Sequence, residues 1–201
     1  IAYRCRGVSK STLKKDHNGA IADYTKAIEL DPNFSAVYFD RGFVKTNLED
    51  YNGAISDYSK AIELNPNDAD AYINLAGVYY NIGNNKIKNN KDYKGAISDF
   101  SKAIELNPDY EDFYKCRGSA KADLKDYKGS LADFNKAIEL NPNNETVYYN
   151  SGTSKFNLKD YKEAINDFNK AIELNPNYTD AYYNRGESKI NLKDYKEAIN
   201  D

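Results

Sequence analysis

The chain has 201 residues, with 28 Lys and Arg against 31 Asp and Glu and a formal net charge of −3, a balance that excludes the positive long-range field needed to draw in nucleic acid or an acidic membrane surface. No run approaches the ~20 consecutive apolar residues of a bilayer-spanning helix, so membrane insertion is not expected. Hydrophobic residues make up 40%, and 19 tyrosines stand beside no Trp and no Met; this suits an elongated fold with partly dry contacts, because tyrosine joins an apolar body to a polar tip.

Internal repetition comes before any other signal. The segment KAIELNPN at 60–67 recurs unchanged at 136–143 and 170–177, with variants at 26–33 and 102–109. Pro32, Pro66, Pro108, Pro142 and Pro176 are spaced by 34, 42, 34 and 34 residues. Six units follow, at 1–34, 35–68, 69–110, 111–144, 145–178 and 179–201, and they are read as one array.

In chain order, the first unit opens on Ile1 rather than Met, as expected for a segment of something longer, and has one extra residue in its turn, Lys14–Lys15–Asp16–His17. The second is regular. The third holds the eight-residue insertion 84–91, NNKIKNNK, expected to be a loop or a helical extension. The fifth is the clearest. Ala164, Ile165, Phe168, Ala171 and Ile172 form one apolar stripe of a helix over 162–174. Pro176 stops that helix. A first helix is expected over 146–158, with Lys159–Asp160–Tyr161 as the turn. Two such helices make an antiparallel hairpin, which buries its apolar faces only by stacking on neighbours. The sixth unit is cut within its second helix.

The residues that recur in register resemble the tetratricopeptide repeat over essentially the whole chain. Gly7, Gly42, Ala76, Gly118, Gly152 and Gly186 stand in first helices. Ala20, Ala54, Ala96, Ser130, Ala164 and Ala198 open second helices, with Tyr24, Tyr58, Phe100, Phe134 and Phe168 one turn on. Helix axes approach closely only where side chains are small, and a ring fills the space beside them. The resemblance implies an all-α fold, a right-handed α-solenoid of antiparallel helix hairpins, with a concave groove lined mainly by first helices. This chain departs from the family in Arg6, Arg41, Arg117 and Arg185, and in Lys10, Lys45, Lys121, Lys155 and Lys189. Polar ties are expected from these to Asp23, Asp57, Asp99, Asp133, Asp167 and Asp201. In the third unit Leu75 and Tyr79 fall in the Arg and Lys places, so more apolar packing is expected there.

Catalytic signals are absent from the sequence. There is one histidine, His17, in a turn position that later units fill with Tyr51, Tyr93, Tyr127, Tyr161 and Tyr195. Cys5 and Cys116 sit three units apart, about 30 Å at roughly one helix diameter per unit, beyond the ~7 Å limit for a disulfide. Zinc ligation by nitrogen and sulfur, a catalytic triad and a phosphate-binding glycine loop all lack their residues. The expectation is therefore a chain that is not an enzyme and has no cofactor and no metal. The tripeptides beginning at Asn33, Asn144 and Asn177 read as chance glycosylation matches in an Asn-rich chain. No compartment is named, and the cytoplasm is the default.

If the groove follows the family, the residues expected to line it are Phe39, Phe43, Asn74, Tyr80, Lys115, Tyr149, Asn150, Phe156, Tyr183 and Asn184. Asparagine offers donor and acceptor to a ligand backbone. A second column, Thr12, Asn47, Asn81, Asp123, Asn157 and Asn191, is read mainly as helix capping. Some relatives grip a C-terminal carboxylate with Lys and Asn followed by Lys and Arg. The best window here, Lys115, Ser119, Asn150, Asp180 and Asn184, lacks the basic end, so no such clamp is expected. The expected partner is a protein or an extended peptide with apolar and some basic residues. The alternative is a structural spacer that self-associates through uncapped ends.

Overall fold

The computed structural model describes residues 1–13, 15–199 and 201. Lys14, the start of the expected first turn, lies outside the described residues. Among those described, every regular element is helical: α1 (Ala2–Leu13), α2 (His17–Leu30), α3 (Ser35–Asn47), α4 (Tyr51–Leu64), α5 (Ala69–Asn90), α6 (Tyr93–Leu106), α7 (Glu111–Asp123), α8 (Tyr127–Leu140), α9 (Glu145–Asn157), α10 (Tyr161–Leu174), α11 (Thr179–Asn191) and α12 (Tyr195–Ala198). Two compact units result, residues 1–82 with 105–108, and residues 83–104 with 109–201.

Three residues write the turn within the second, fourth, fifth and sixth hairpins. In the second hairpin Asp50 N–H donates to Lys45 C=O (2.9 Å) and Glu49 N–H to Thr46 C=O (3.0 Å), with Glu49 at φ 59°. That is a Schellman closure with a left-handed residue in its usual place. The Asp50 carboxylate then accepts the Gly53 N–H and caps the next helix. The same device recurs at Lys125–Asp126, and at Lys159–Asp160 and Lys193–Asp194 with the same closure bonds. α10 begins at Tyr161, one residue ahead of the expected helix, with Asp160 in the N-cap place but making no side-chain hydrogen bond there. The second helices end alike. The N–H of Asn65, Asn141 and Asn175 returns to Ala61, Ala137 and Ala171, and the following proline prevents continuation.

In the first five hairpins a glycine faces a ring. Gly118 and Gly152 are close enough to Phe134 and Phe168 that a methyl group would approach the ring carbons to 2.7 Å. Tyr58, Phe100, Phe134 and Phe168 are fully buried. Tyr24 and Tyr58 have phenols pushed up to about 12, chiefly by burial.

The third hairpin corrects one expectation. Gly83, not Ala76, faces Phe100, and Lys86, not Tyr79, pairs with Asp99 at 2.6 Å. The insertion is absorbed into helix: α5 has 22 residues while α6 keeps the 14 of α4 and α8. Seven added residues amount to two turns less about 20°, which returns Gly83 and Lys86 to the required face. The eighth sits in the turn, where Asp92 N–H reaches Lys86 C=O across six positions instead of five.

Polar ties are present in every hairpin, made by the expected residues in all but the third, where Lys86 supplies the cation. Asp57 accepts Arg41 Nε (2.9 Å) and Nη2 (2.7 Å) while Lys45 Nζ lies 2.8 Å away. Asp133 has Arg117 and Lys121 in the same arrangement. Asp23 has Arg6 and Lys10, and Asp201 has Arg185 and Lys189. In the fifth hairpin Ser151 replaces the arginine and donates to Asp167 (2.6 Å), with Lys155 at 2.7 Å. The early tyrosine of several first helices also acquires a role, since Arg41 lies over Tyr38, Arg117 over Tyr114 and Arg185 over Tyr182, at 5.1–5.8 Å. The remaining guanidinium donor reaches the preceding second helix: Arg41 Nη1 to Thr25 Oγ1 and Arg117 Nη1 to Ser101 Oγ, both at 3.0 Å. One arginine thereby fastens its own hairpin and the neighbouring helix.

Candidate functional site

Because packing uses the glycine, ring and clamp faces of each first helix, another face of these helices is left open. In the first unit it forms a cup of about 250 Å³ between α1 and α3, reached by α5, and lined by Val8, Ser11, Thr12, Phe39, Asp40, Phe43 and Asn74 among others. Phe39 is fixed edge-on against buried Tyr58, with ring centroids 5.6 Å apart. Phe43 stays 47% exposed and Ile73 50%, an apolar wall that the fold does not consume. Asp40 is neutralised by Arg4 at 2.6 Å, and Asn74 donates back to Asp70 C=O at 2.8 Å.

In the second unit the corresponding cup lies between α7 and α9 over the α8 ring. It too measures about 250 Å³, but Ser119, Asp123, Asn150, Thr153 and Asn157 line it with Tyr127 and Phe134. Asn150 Nδ2 reaches Ser119 Oγ at 3.4 Å, and Ser130 and Ser154 join hydroxyls beneath at 2.9 Å. Burial raises the pKa of Asp123.

The structure brings Phe39, Phe43 and Asn74 together in the first cup. It places Asn150 in the second cup and joins Asn184 Nδ2 to the Tyr149 hydroxyl at 3.0 Å. Tyr149 also lies against Tyr178, with ring centroids 4.9 Å apart. Tyr183 is 67% exposed and borders a third concavity of about 430 Å³ with Tyr182, Glu187 and Ile190. Lys115 is held by Asp112. Phe156 packs edge-on against Tyr161 at the hairpin turn, away from the cups. Tyr80 is half-buried on α5. The second column does bond at helix ends, with Asn157 and Asn191 each donating to the carbonyl four residues back at 2.8 Å.

Val8, Ser119 and Thr153 were not singled out by the sequence reading as cup-lining residues of one column. Each follows the ring-facing glycine and precedes a member of the second column by four residues, so helical spacing was the signal that could have found them.

Paired helices, glycine-to-ring contacts and an open face on successive first helices define the class: a helical-repeat scaffold. The chain belongs to the tetratricopeptide repeat family. A model described as TPR repeat matches residues 45–83 and 118–158, and models described as tetratricopeptide repeat match 146–178, 23–56 with 168–200, and 76–110. No curated protein sequence matches. Among solved structures, MamA is similar at 25% identity and a TM-score of 0.61, over 83% of this chain and 86% of that one. YrrB, described as a TPR protein with an unusual peptide-binding site, is similar at 23% and 0.60, over 91% and 90%, a likeness of fold. The first TPR of Spaghetti (RPAP3), bound to the HSP90 peptide SRMEEVD, is similar at 28% and 0.59, over 60% of this chain and 95% of that one. No helix of the described residues is long and apolar enough to cross a membrane.

Proposed function

We propose that the chain, as one array of six repeats, is a protein-interaction scaffold that binds an extended peptide along the open face of its first helices and performs no chemistry of its own. The single observation that carries this reading is the side-chain set that folding leaves over on that face: exposed Phe43, Ile73 and Tyr183 beside half-buried Asn74, Asn150 and Asn184. Apolar anchors next to amides suit a ligand held by side-chain contact and backbone hydrogen bonds together. Peptide binding by the RPAP3 domain supports the general mode. Its acidic peptide does not suit this chain, where Lys115 is tied to Asp112 and Asp123, Asp180 and Glu187 lie on the first helices. The same acidity argues against nucleic acid.

The test is selection of displayed peptides on the full chain, followed by affinity measurement of a resynthesised winner. Phe43→Ala, Asn150→Ala and Asn184→Ala are each expected to weaken it about tenfold, the effect of losing one anchor or one hydrogen bond at a desolvated contact. A winner that binds all three variants as well as the parent would overturn the reading. A second reading, self-association, is supported by the apolar rim of the third concavity, where Tyr183 and Ile190 are exposed. It requires a molecular mass that rises with concentration in sedimentation.

A further inference from the structure

We infer that the cup between α7 and α9 is a subsite for a lysine or arginine side chain of the bound segment, and that Asp123 selects it. The inference rests on the peptide-groove reading. Asp123 is the one charged group in the lining of this cup, and it takes part in no ion pair or hydrogen bond among the described residues. Three lysines of α7 and α9 are committed elsewhere: Lys121 to Asp133 at 2.8 Å, Lys155 to Asp167 at 2.7 Å, and Lys115 to Asp112.

The helical column that contains Asp123 explains why it stands apart. Thr12, Asn157 and Asn191 each donate to the carbonyl four residues back, on Val8, Thr153 and Glu187, all at 2.8 Å. An ionised carboxylate has no hydrogen to give. Asp123 therefore cannot make to Ser119 C=O the bond that Thr12, Asn157 and Asn191 make, and its oxygens stay available.

Three neutral donors of the cup are already directed at protein oxygens. Thr153 Oγ1 donates to Tyr149 C=O at 2.9 Å, Asn157 Nδ2 to Thr153 C=O, and Asn150 Nδ2 to Ser119 Oγ. The Asp123 carboxylate remains, with Tyr127 contributing ring surface. A lysine or arginine fits both halves. Its methylene stem covers the ring while its head reaches the carboxylate. The cup of the first unit differs on this point, because its Asp40 already has Arg4.

The probe is N-acetyl-lysine methylamide, titrated by NMR into the isotope-labelled full chain, with N-acetyl-norleucine methylamide as the uncharged control. Saturable shifts are expected at the Asp123 carboxyl and the Asn150 and Asn157 side-chain amides, weakening with added salt. The norleucine compound should bind about 5-fold more weakly, the scale of a partly exposed ion pair. Asp123→Asn supplies the missing donor to Ser119 C=O, so it should keep the melting temperature and abolish the lysine preference. Equal response to the two compounds, or a lysine preference that survives in Asp123→Asn, would overturn the subsite. Displayed peptides that bind but contain no basic residue would remove the subsite and leave the groove standing. A selection that yields no peptide removes the groove reading, while the lysine titration still reports on the cup by itself.

Discussion

In the unit built from residues 1–82 and 105–108, the position after the ring-facing glycine is Val8 or Phe43; in the unit built from 83–104 and 109–201 it is Asn84, Ser119 or Thr153. One cup is consequently walled by aromatic and aliphatic carbon, the other by hydroxyls, amides and a carboxylate. The residues beneath them barely change: glycine against a buried ring, and aspartate between a lysine and, in most hairpins, an arginine. Positions that face the partner helix are held by contact, and those one step around the helix are free to differ. The scaffold and its specificity are thus written in separate columns of the same repeat.

The strongest way to break that comparison is to attack what both units share. Asp57→Ala and Asp133→Ala, one in each unit, should each lower stability by about 3–5 kcal/mol, because two cations would be left without their buried counter-charge. Asp167→Asn should have a smaller effect, since Ser151 stands where the arginine would be. Equal, negligible shifts in melting for all three would show that the ties are ornamental. A smaller contrast lies within α5. Gly83→Ala should be destabilising by about 1–3 kcal/mol, from overpacking against Phe100. Gly77→Ala, with nothing within 4 Å, should be stabilising by about 0.5–1 kcal/mol. The reverse order in thermal melts would restore Ala76 as the ring-facing residue.

Acid probes the same clamp. Arg6, with Lys10, holds the Asp23 carboxyl down to about 2 from an ordinary value of 3.8. A depressed carboxylate stabilises the fold above its unfolded pKa and loses that contribution as pH falls through the folded value. Between pH 3.8 and about 2 the parent should lose stability faster than Asp23→Asn does. Turn substitutions come next. Lys125→Gly and Lys159→Gly, at φ 64° and 65°, should gain about 0.5 kcal/mol, as relief of left-handed strain exceeds the extra freedom of the unfolded chain. The smallest effect on stability should come from exchanging the groove itself. Phe43→Ser and Ser119→Phe should each fall within about 0.5 kcal/mol of the parent while altering which peptides are selected. A large loss of stability there would mean that the two columns are not separate.

Much of the scaffold was legible because its physics is local and periodic. The Asn-Pro stops, the small residues and the Arg, Lys and Asp columns each recur often enough to fix one another. The third hairpin was misread where linear alignment and helical phase part company, since Gly83 and Lys86 lie seven residues beyond the positions that alignment chose. The cups were half legible. Phe39, Phe43, Asn74 and Asn150 followed from the helix face. Phe156 has suitable chemistry but turns toward Tyr161, and the isolation of Asp123 depends on where three lysines point, which no spacing reveals.

The lengthened α5 suggests a rule of phase for this kind of chain. Seven residues slip into a helix almost unnoticed, because side chains return to within about 20° of their former heading, whereas five would swing Gly83 and Lys86 about 140° away from Phe100 and Asp99. A single extra residue is absorbed at the bend. Growth by whole modules is therefore one permitted step, and a near-whole number of helical turns, such as the heptad, is another.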